Sequence, residues 1–208
     1  MTQKLNYLRE TASQTAGPYV HIGLAPGAAG FEIFEQELGR DIAGPNAAGE
    51  RISVEGIVHD GLGAPIKDVL IEVWQANSAG IYPHPEDSRA AQVEDGFRGW
   101  GRVISDFESG LYRFDTIKPG AVPGHSGQLM APHLNLWIVS RGIHIGLNTR
   151  MFFADETDAN AADPVLNLIE QAERRKTLIA PREMRDGKPV YRFDIRLQGD
   201  GETVFLDI

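Results

Sequence analysis

The chain has 208 residues, 42% of them hydrophobic and 24% charged, which places it with folded proteins that bury a core rather than with disordered or membrane classes. A net charge of −9 excludes a broad phosphate-binding surface and makes nucleic acid an unsuitable partner. The absence of cysteine excludes disulfides and thiolate metal sites. The opening MTQKLNYLRETASQ has no apolar signal-peptide core, and no run is long enough to span a membrane, so the expected location is the cytoplasm.

Residues 1–50 are rich in Gly, Ala and Pro with few alternating apolar runs, which predicts an extended arm with a short helix around Phe31 to Leu38. From Arg51 the pattern changes to short alternating runs. RISVEGIVHD and KDVLIEVWQA flank a turn at Gly61-Leu62-Gly63 with Pro65 and read as a hairpin. GWGRVISD, Leu111 to Phe114 and HLNLWIVSRGIHIGLNTRMFF follow, parted by Gly, Pro, Asp and Ser clusters, and the chain closes with VYRFDIRLQG and ETVFLDI around Gly-Asp-Gly. Strands at this spacing predict a mainly β, two-sheet sandwich over residues 51–208, forming one domain with the arm. One segment departs from it. Asp163-Pro164 ahead of VLNLIEQAERRKTLI predicts a single α-helix near residues 164–179, capped by Asp163, with Val165, Leu168, Ile169 and Ala172 on one face.

None of the six histidines, His21, His59, His84, His125, His133 and His144, has the i, i+4 spacing of a helical zinc site. In APHLNLWIV, a strand would point His133, Asn135 and Trp137 to one face and Leu134, Leu136 and Ile138 to the other. An amide thus stands where a second imidazole ligand would be useful, and the ordinary role of such a histidine is a hydrogen-bonded strand residue. Tyr82 follows a strand end on a Gly/Pro-rich loop, either displayed for function or packed beneath the loop with its hydroxyl bonded. Arg141 sits where a strand run meets Gly142, placed to grip a carboxylate through two parallel hydrogen bonds or to form an ordinary surface ion pair.

The run GIVHDGLGAPIKDVLIEVWQANSAGIY at residues 56–82 resembles the signature of the intradiol ring-cleavage dioxygenases, and the likeness continues through residues 97–120, APHLNLWIV and YRFDIRLQGDGETVF. SQTAGPYVHIGLA and PVLNLIEQAERRKTLIA resemble the α-type chain of the two-chain members. In that family, the resemblance implies, two tyrosines and two histidines hold a ferric ion at the edge of a β-sandwich. Tyr82 and His133 match the first of each, whereas Val122 and Asn135 stand at the other two positions. Valine has no donor atom and an amide is a poor substitute for imidazole, so these four read as a vestigial site with no metal and no catalytic residue on this chain.

The resemblance implies instead a homologous β chain that carries Fe3+, with Thr15, Gly17, Pro18 and Arg141 of this chain lining its substrate pocket. The complex would convert 3,4-dihydroxybenzoate and O2 to 3-carboxy-cis,cis-muconate, with Arg141 holding the ring carboxylate. The alternatives are a self-sufficient intradiol dioxygenase, recruiting His125 or His144 as a further donor, and a non-enzymatic β-sandwich binding module.

Overall fold

The structure, a computed structural model, describes residues 12, 14–17, 19–35, 42–124, 127–144 and 146–207. Its alternating runs form two five-stranded sheets. In the first, β1 (Arg51–His59) pairs antiparallel with β4 (Leu111–Ile117) and parallel with β11 (Lys188–Arg192) and β12 (Ile195–Arg196), while β10 (Arg182–Arg185) pairs β11. The second runs in the order β3 (Trp100–Ile104), β2 (Leu70–Trp74), β7 (His133–Val139), β8 (Leu147–Phe153) and β9 (Ile179–Ala180). A short ribbon of β5 (Val122–Pro123) and β6 (Leu129–Met130) stands beside it.

Side chains from the two sheets meet in one core. Val54 and Val58 of β1 and Tyr112 and Phe114 of β4 pack with Ile71 and Val73 of β2, Leu134, Leu136 and Ile138 of β7, and Met151 and Phe153 of β8. The period-2 reading of APHLNLWIV therefore holds, with the leucines and Ile138 facing inward. Buried polar atoms in this core find partners both between and within the sheets. The Gln75 amide accepts from Thr116 Oγ1 at 2.6 Å and donates to the Ile117 carbonyl at 3.1 Å, and the Tyr112 hydroxyl donates to the Phe193 carbonyl.

Three expectations are corrected. The first two runs are not a hairpin, because β1 and β2 lie in opposite sheets. The Asp60 turn is closed by a bridge from His59 to Pro65 and by the Asp60 Oδ1 bonds to the Leu62 and Ala64 N–H groups, and the chain then passes into the other sheet. Both runs are apolar enough to be core strands, and that pattern alone does not say which neighbours they pair with. The hairpin that does form there in the first sheet is β10–β11, turning at Asp186 (φ 51°) and Gly187 (φ 76°), the Asp-Gly pair such turns favour.

The helix predicted for residues 164–179 is broken. Two short helices, α2 (Thr157–Ala162) and α3 (Ala172–Lys176), flank a single 3-10 turn at Leu166–Leu168, and Ile169 is extended at φ −84° and ψ 104°. Asp163 closes α2 instead of opening a longer helix, and its Oδ1 accepts from the Val165 and Leu166 N–H groups at 2.8 Å each, holding the turn that follows. The expected apolar face fails because Leu166, not Leu168, is the buried anchor; Leu168 is 81% exposed. The extended Ile169 offers its carbonyl to Arg175 Nε, which ends the helical hydrogen-bond ladder.

In the arm, the helix is α1 (Tyr19–Leu24); Phe31 to Glu35 are not helical, and residues 36–38 of the expected helix lie outside the described residues. The arm is also more tightly integrated than its composition implies. Ile42 is buried in the main core, the His21 ring bonds the Asp68 carbonyl at 2.9 Å, and Arg102 Nη1 donates to the Leu24 carbonyl at 2.7 Å.

Asp163 ties the broken segment to the sheet, since its Oδ2 accepts from the Ala131 N–H at 2.8 Å, just before β7. Asp163→Ala would orphan three buried or half-buried N–H groups. The expected loss is about 3 kcal/mol, read as a lower urea midpoint at unchanged slope. A change below about 0.5 kcal/mol would show that the carboxylate is dispensable.

Candidate functional site

The outer face of the second sheet carries a row of polar and aromatic groups set by strand register. Trp74 of β2 lies opposite Asn135 of β7, and Asn135 lies opposite Arg150 of β8, so all three project to one side. His133 shares that face two residues before Asn135. Tyr82 reaches the row from the loop after β2, where its ring stacks on Trp74 with centroids 5.5 Å apart and planes at 9°.

Local chemistry shapes that loop. Asn77 Oδ1 accepts from the Ala79 and Ile81 N–H groups at 3.0 and 2.9 Å, folding the chain back on itself. Gly80 has φ 72°, and a Cβ there would meet the Ala121 carbonyl oxygen at 1.9 Å. Only glycine lets this loop lie against the segment that leads into Val122. The structure therefore brings together Tyr82, His133 and Asn135, with Val122 buried in the adjoining ribbon.

The Asn135 amide orders the row. Its Nδ2 donates to the Tyr82 hydroxyl at 3.2 Å and to the Trp74 carbonyl at 3.3 Å, while Oδ1 accepts from Arg150 Nε at 2.9 Å. Arg150 also points Nη1 at Met130 Sδ, 3.3 Å away. His133 Nδ1 lies 2.7 Å from the Ala131 carbonyl, so that nitrogen carries the proton. Nε2 is left unprotonated, buried and without a partner.

The charges follow from this packing. Burial raises the Tyr82 phenol above its ordinary value, against the opposing pull of the Asn135 hydrogen bond and the Arg150 charge. Burial, with the Arg150 charge adding to it, pushes His133 down to about 4.

A ferric ion does not fit these residues. It asks for hard anionic and imidazole donors, whereas Val122 offers none and the Asn135 oxygen is already engaged by a cation. Arg150 supplies the opposite of what a metal needs. Its guanidinium, bonded to Asn135, would repel a cation held beside that residue. Among the described residues, no three His, Asp or Glu side chains come together as a metal site.

Arg150 escaped the reading of the sequence. Its signal was an arginine inside the run LNTRMFF, between Thr149 and Met151, both fully buried. Asp68 was missed as well, although its carboxylate makes the ion pair with Arg141.

The other expected residues gather elsewhere. Arg141 lies just beyond β7, with its side chain 64% exposed. Thr15 Oγ1 accepts from the Gly142 N–H at 2.7 Å, and the Gln14 N–H donates to His144 Nδ1 at 2.8 Å, so this stretch of arm is stitched to the Arg141 turn. Gly17 is half-buried two residues further on, and its carbonyl accepts from the Val20 N–H at 3.1 Å. Pro18 and His125 lie outside the described residues. The length of β7 separates this corner from His133 by about 20 Å at a rise of about 3.3 Å per residue.

The depressed His133 makes stability pH-dependent. Its folded value of about 4 lies below the unfolded value of about 6.5, so the unfolded chain takes up the proton first. Stability is full above about pH 6.5 and falls by about 3 kcal/mol as pH drops toward 4. Urea unfolding across that window should show the fall, and His133→Leu should flatten it. An unchanged slope in the variant would assign the proton uptake to another group.

Comparison with known proteins agrees with this geometry. The family model described as Dioxygenase matches residues 29–199. The chain is 51% identical to the protocatechuate 3,4-dioxygenase alpha chain of Pseudomonas putida, covering 98% of both chains. It is 37% identical to the protocatechuate 3,4-dioxygenase beta chain of Burkholderia cepacia, over 74% of this chain and 67% of that one. In fold, it is similar to an intradiol ring-cleavage dioxygenase from Tetranychus urticae, with a TM-score of 0.54 at 18% identity, covering 79% of this chain and 88% of that chain. The matched span and the curated relatives together make this chain a member of the intradiol ring-cleaving dioxygenase family.

Proposed function

We propose that this chain is the iron-free α subunit of a protocatechuate 3,4-dioxygenase, and that it completes the substrate pocket of a homologous β chain carrying Fe3+. The observation that carries the reading is the separation of its two sets of expected residues. Arg141 and Thr15 sit together at one end of β7, while Tyr82, His133 and Asn135 sit at the other. A guanidinium about 20 Å away cannot orient a substrate bound at its own chain's Tyr82 and His133. Recognition groups so placed make sense when the reacting centre belongs to a neighbour.

Further features support an assembly. Tyr19, Ile22, Leu24, Phe31, Ile33 and Phe34 leave exposed apolar side chains along the arm, a surface suited to burial against another chain. The chain resembles a beta chain as well as an alpha chain, as expected for a pair of homologous subunits. Net charge −9 speaks against nucleic acid, and no helix among the described residues is long and apolar enough to cross a membrane, in keeping with work in the cytoplasm.

Iron held by the partner would supply the redox chemistry for the complex, in which 3,4-dihydroxybenzoate and O2 would give 3-carboxy-cis,cis-muconate by opening the ring between its two hydroxyl-bearing carbons. This chain's residues bind and orient. Arg141 leaves its exposed ion pair with Asp68 and takes the ring carboxylate through two parallel hydrogen bonds. Thr15 and Gly17, together with Pro18 of the same motif, contribute the pocket wall.

The substitution Arg141→Ala in the αβ complex tests this role. A charge-assisted pair worth about 2–3 kcal/mol predicts a loss of about 100-fold in kcat/KM for 3,4-dihydroxybenzoate. Catechol, which lacks the carboxylate, should lose only a few-fold. Equal losses for both substrates would remove Arg141 from substrate recognition.

A further inference from the structure

We infer that Arg150 is a built-in cation that occupies the charge role of the vestigial centre, so that this residue, and not the two lost ligands alone, keeps metal out of the chain. The inference rests on the family reading for the identity of the vestigial positions. Its argument comes from the contacts around Asn135.

The guanidinium fixes which way the amide points. Arg150 Nε requires an acceptor, so Oδ1 turns toward it and Nδ2 is left to face the Tyr82 hydroxyl. Each of these bonds consumes a lone pair that a metal would use: one on Asn135 Oδ1 and one on the Tyr82 oxygen. Of the four vestigial positions, Val122 has no donor and two are engaged through Arg150. Only His133 Nε2 stays free, and one buried imidazole nitrogen does not hold a metal.

The site is therefore not simply an incomplete cage. The His133 ring is still anchored through Nδ1 to the Ala131 carbonyl, the arrangement that presents Nε2 to a metal. What stands against an ion is a positive charge lying directly opposite position 135 in the β7–β8 register. Replacing Asn135 by histidine would set an imidazole beside that guanidinium, which competes for the same nitrogen lone pair. Returning the missing tyrosine and histidine leaves this obstacle in place.

The test compares full-length chains carrying Val122→Tyr and Asn135→His, alone and combined with Arg150→Gln, Arg150→Met or Arg150→Lys. Each is titrated with Co2+ and, separately, loaded with Fe3+ and inspected for visible tyrosinate-to-iron absorption, with circular dichroism reporting the fold. The neutral Gln and Met versions should bind Co2+ at least 100-fold more tightly than the double variant and should colour with Fe3+. The Lys version should stay metal-free. Tight metal binding by the double variant, in which Arg150 is intact, would overturn the inference outright. So would folded Gln and Met versions that bind no better than it. These readouts come from the isolated chain and do not involve Arg141 or a partner, so they fail or succeed independently of the proposed subunit role.

Discussion

The amide of Asn135 carries opposite obligations on its two ends, and the outer face of the second sheet is arranged around them. Its oxygen holds the Arg150 guanidinium and its nitrogen holds the Tyr82 hydroxyl and the Trp74 carbonyl. An imidazole at this position could not satisfy a cation and a phenol in the same way, because its two nitrogens supply one donor and one acceptor in a rigid ring. The amide therefore suits a site that keeps its own fixed positive charge. Burial raises the Tyr82 phenol and pushes His133 down to about 4, which favours the neutral form of both side chains.

The strand that carries Asn135 also ends at the turn where Thr15 bonds the residue after Arg141. β7 is central in its sheet, between β2 and β8, and its inward face is fully committed to the core. One end places His133 and Asn135 beside Tyr82, and the other leads to Arg141 and the segment of arm bonded to Gly142. The Arg141 corner is pinned from several directions, by Asp68, by the Gly142 bond to Thr15 and by the His21 bond to the Asp68 carbonyl. That bracing ties this stretch of the arm to the turn after β7.

Much of this was legible in the sequence where a local rule decides the outcome. Alternation in HLNLWIV fixed which residues of β7 face the core, and the loop after LIEVW was recognisable from its glycine and proline content. Asp163 was legible as a residue that binds the backbone after it, but it holds a turn and not the expected helix, because the chain extends at Ile169. Strand partnership was hidden for a physical reason. β1 and β2 are close in sequence and lie in different sheets, and only the assembled core selects between pairing and crossing. Arg150 was hidden because its meaning depends on the register of β8 against β7, a tertiary fact that no single run of residues displays.

The central claim is a division of labour between a chain that recognises and a chain that reacts. It is met most directly by measuring iron content and visible tyrosinate-to-iron absorption, first on this chain alone and then on the complex with its β partner. The account predicts colourless, iron-free and inactive protein alone, and a coloured complex that cleaves 3,4-dihydroxybenzoate. Iron and ring cleavage from the lone chain would contradict it and require donors other than those gathered around Asn135.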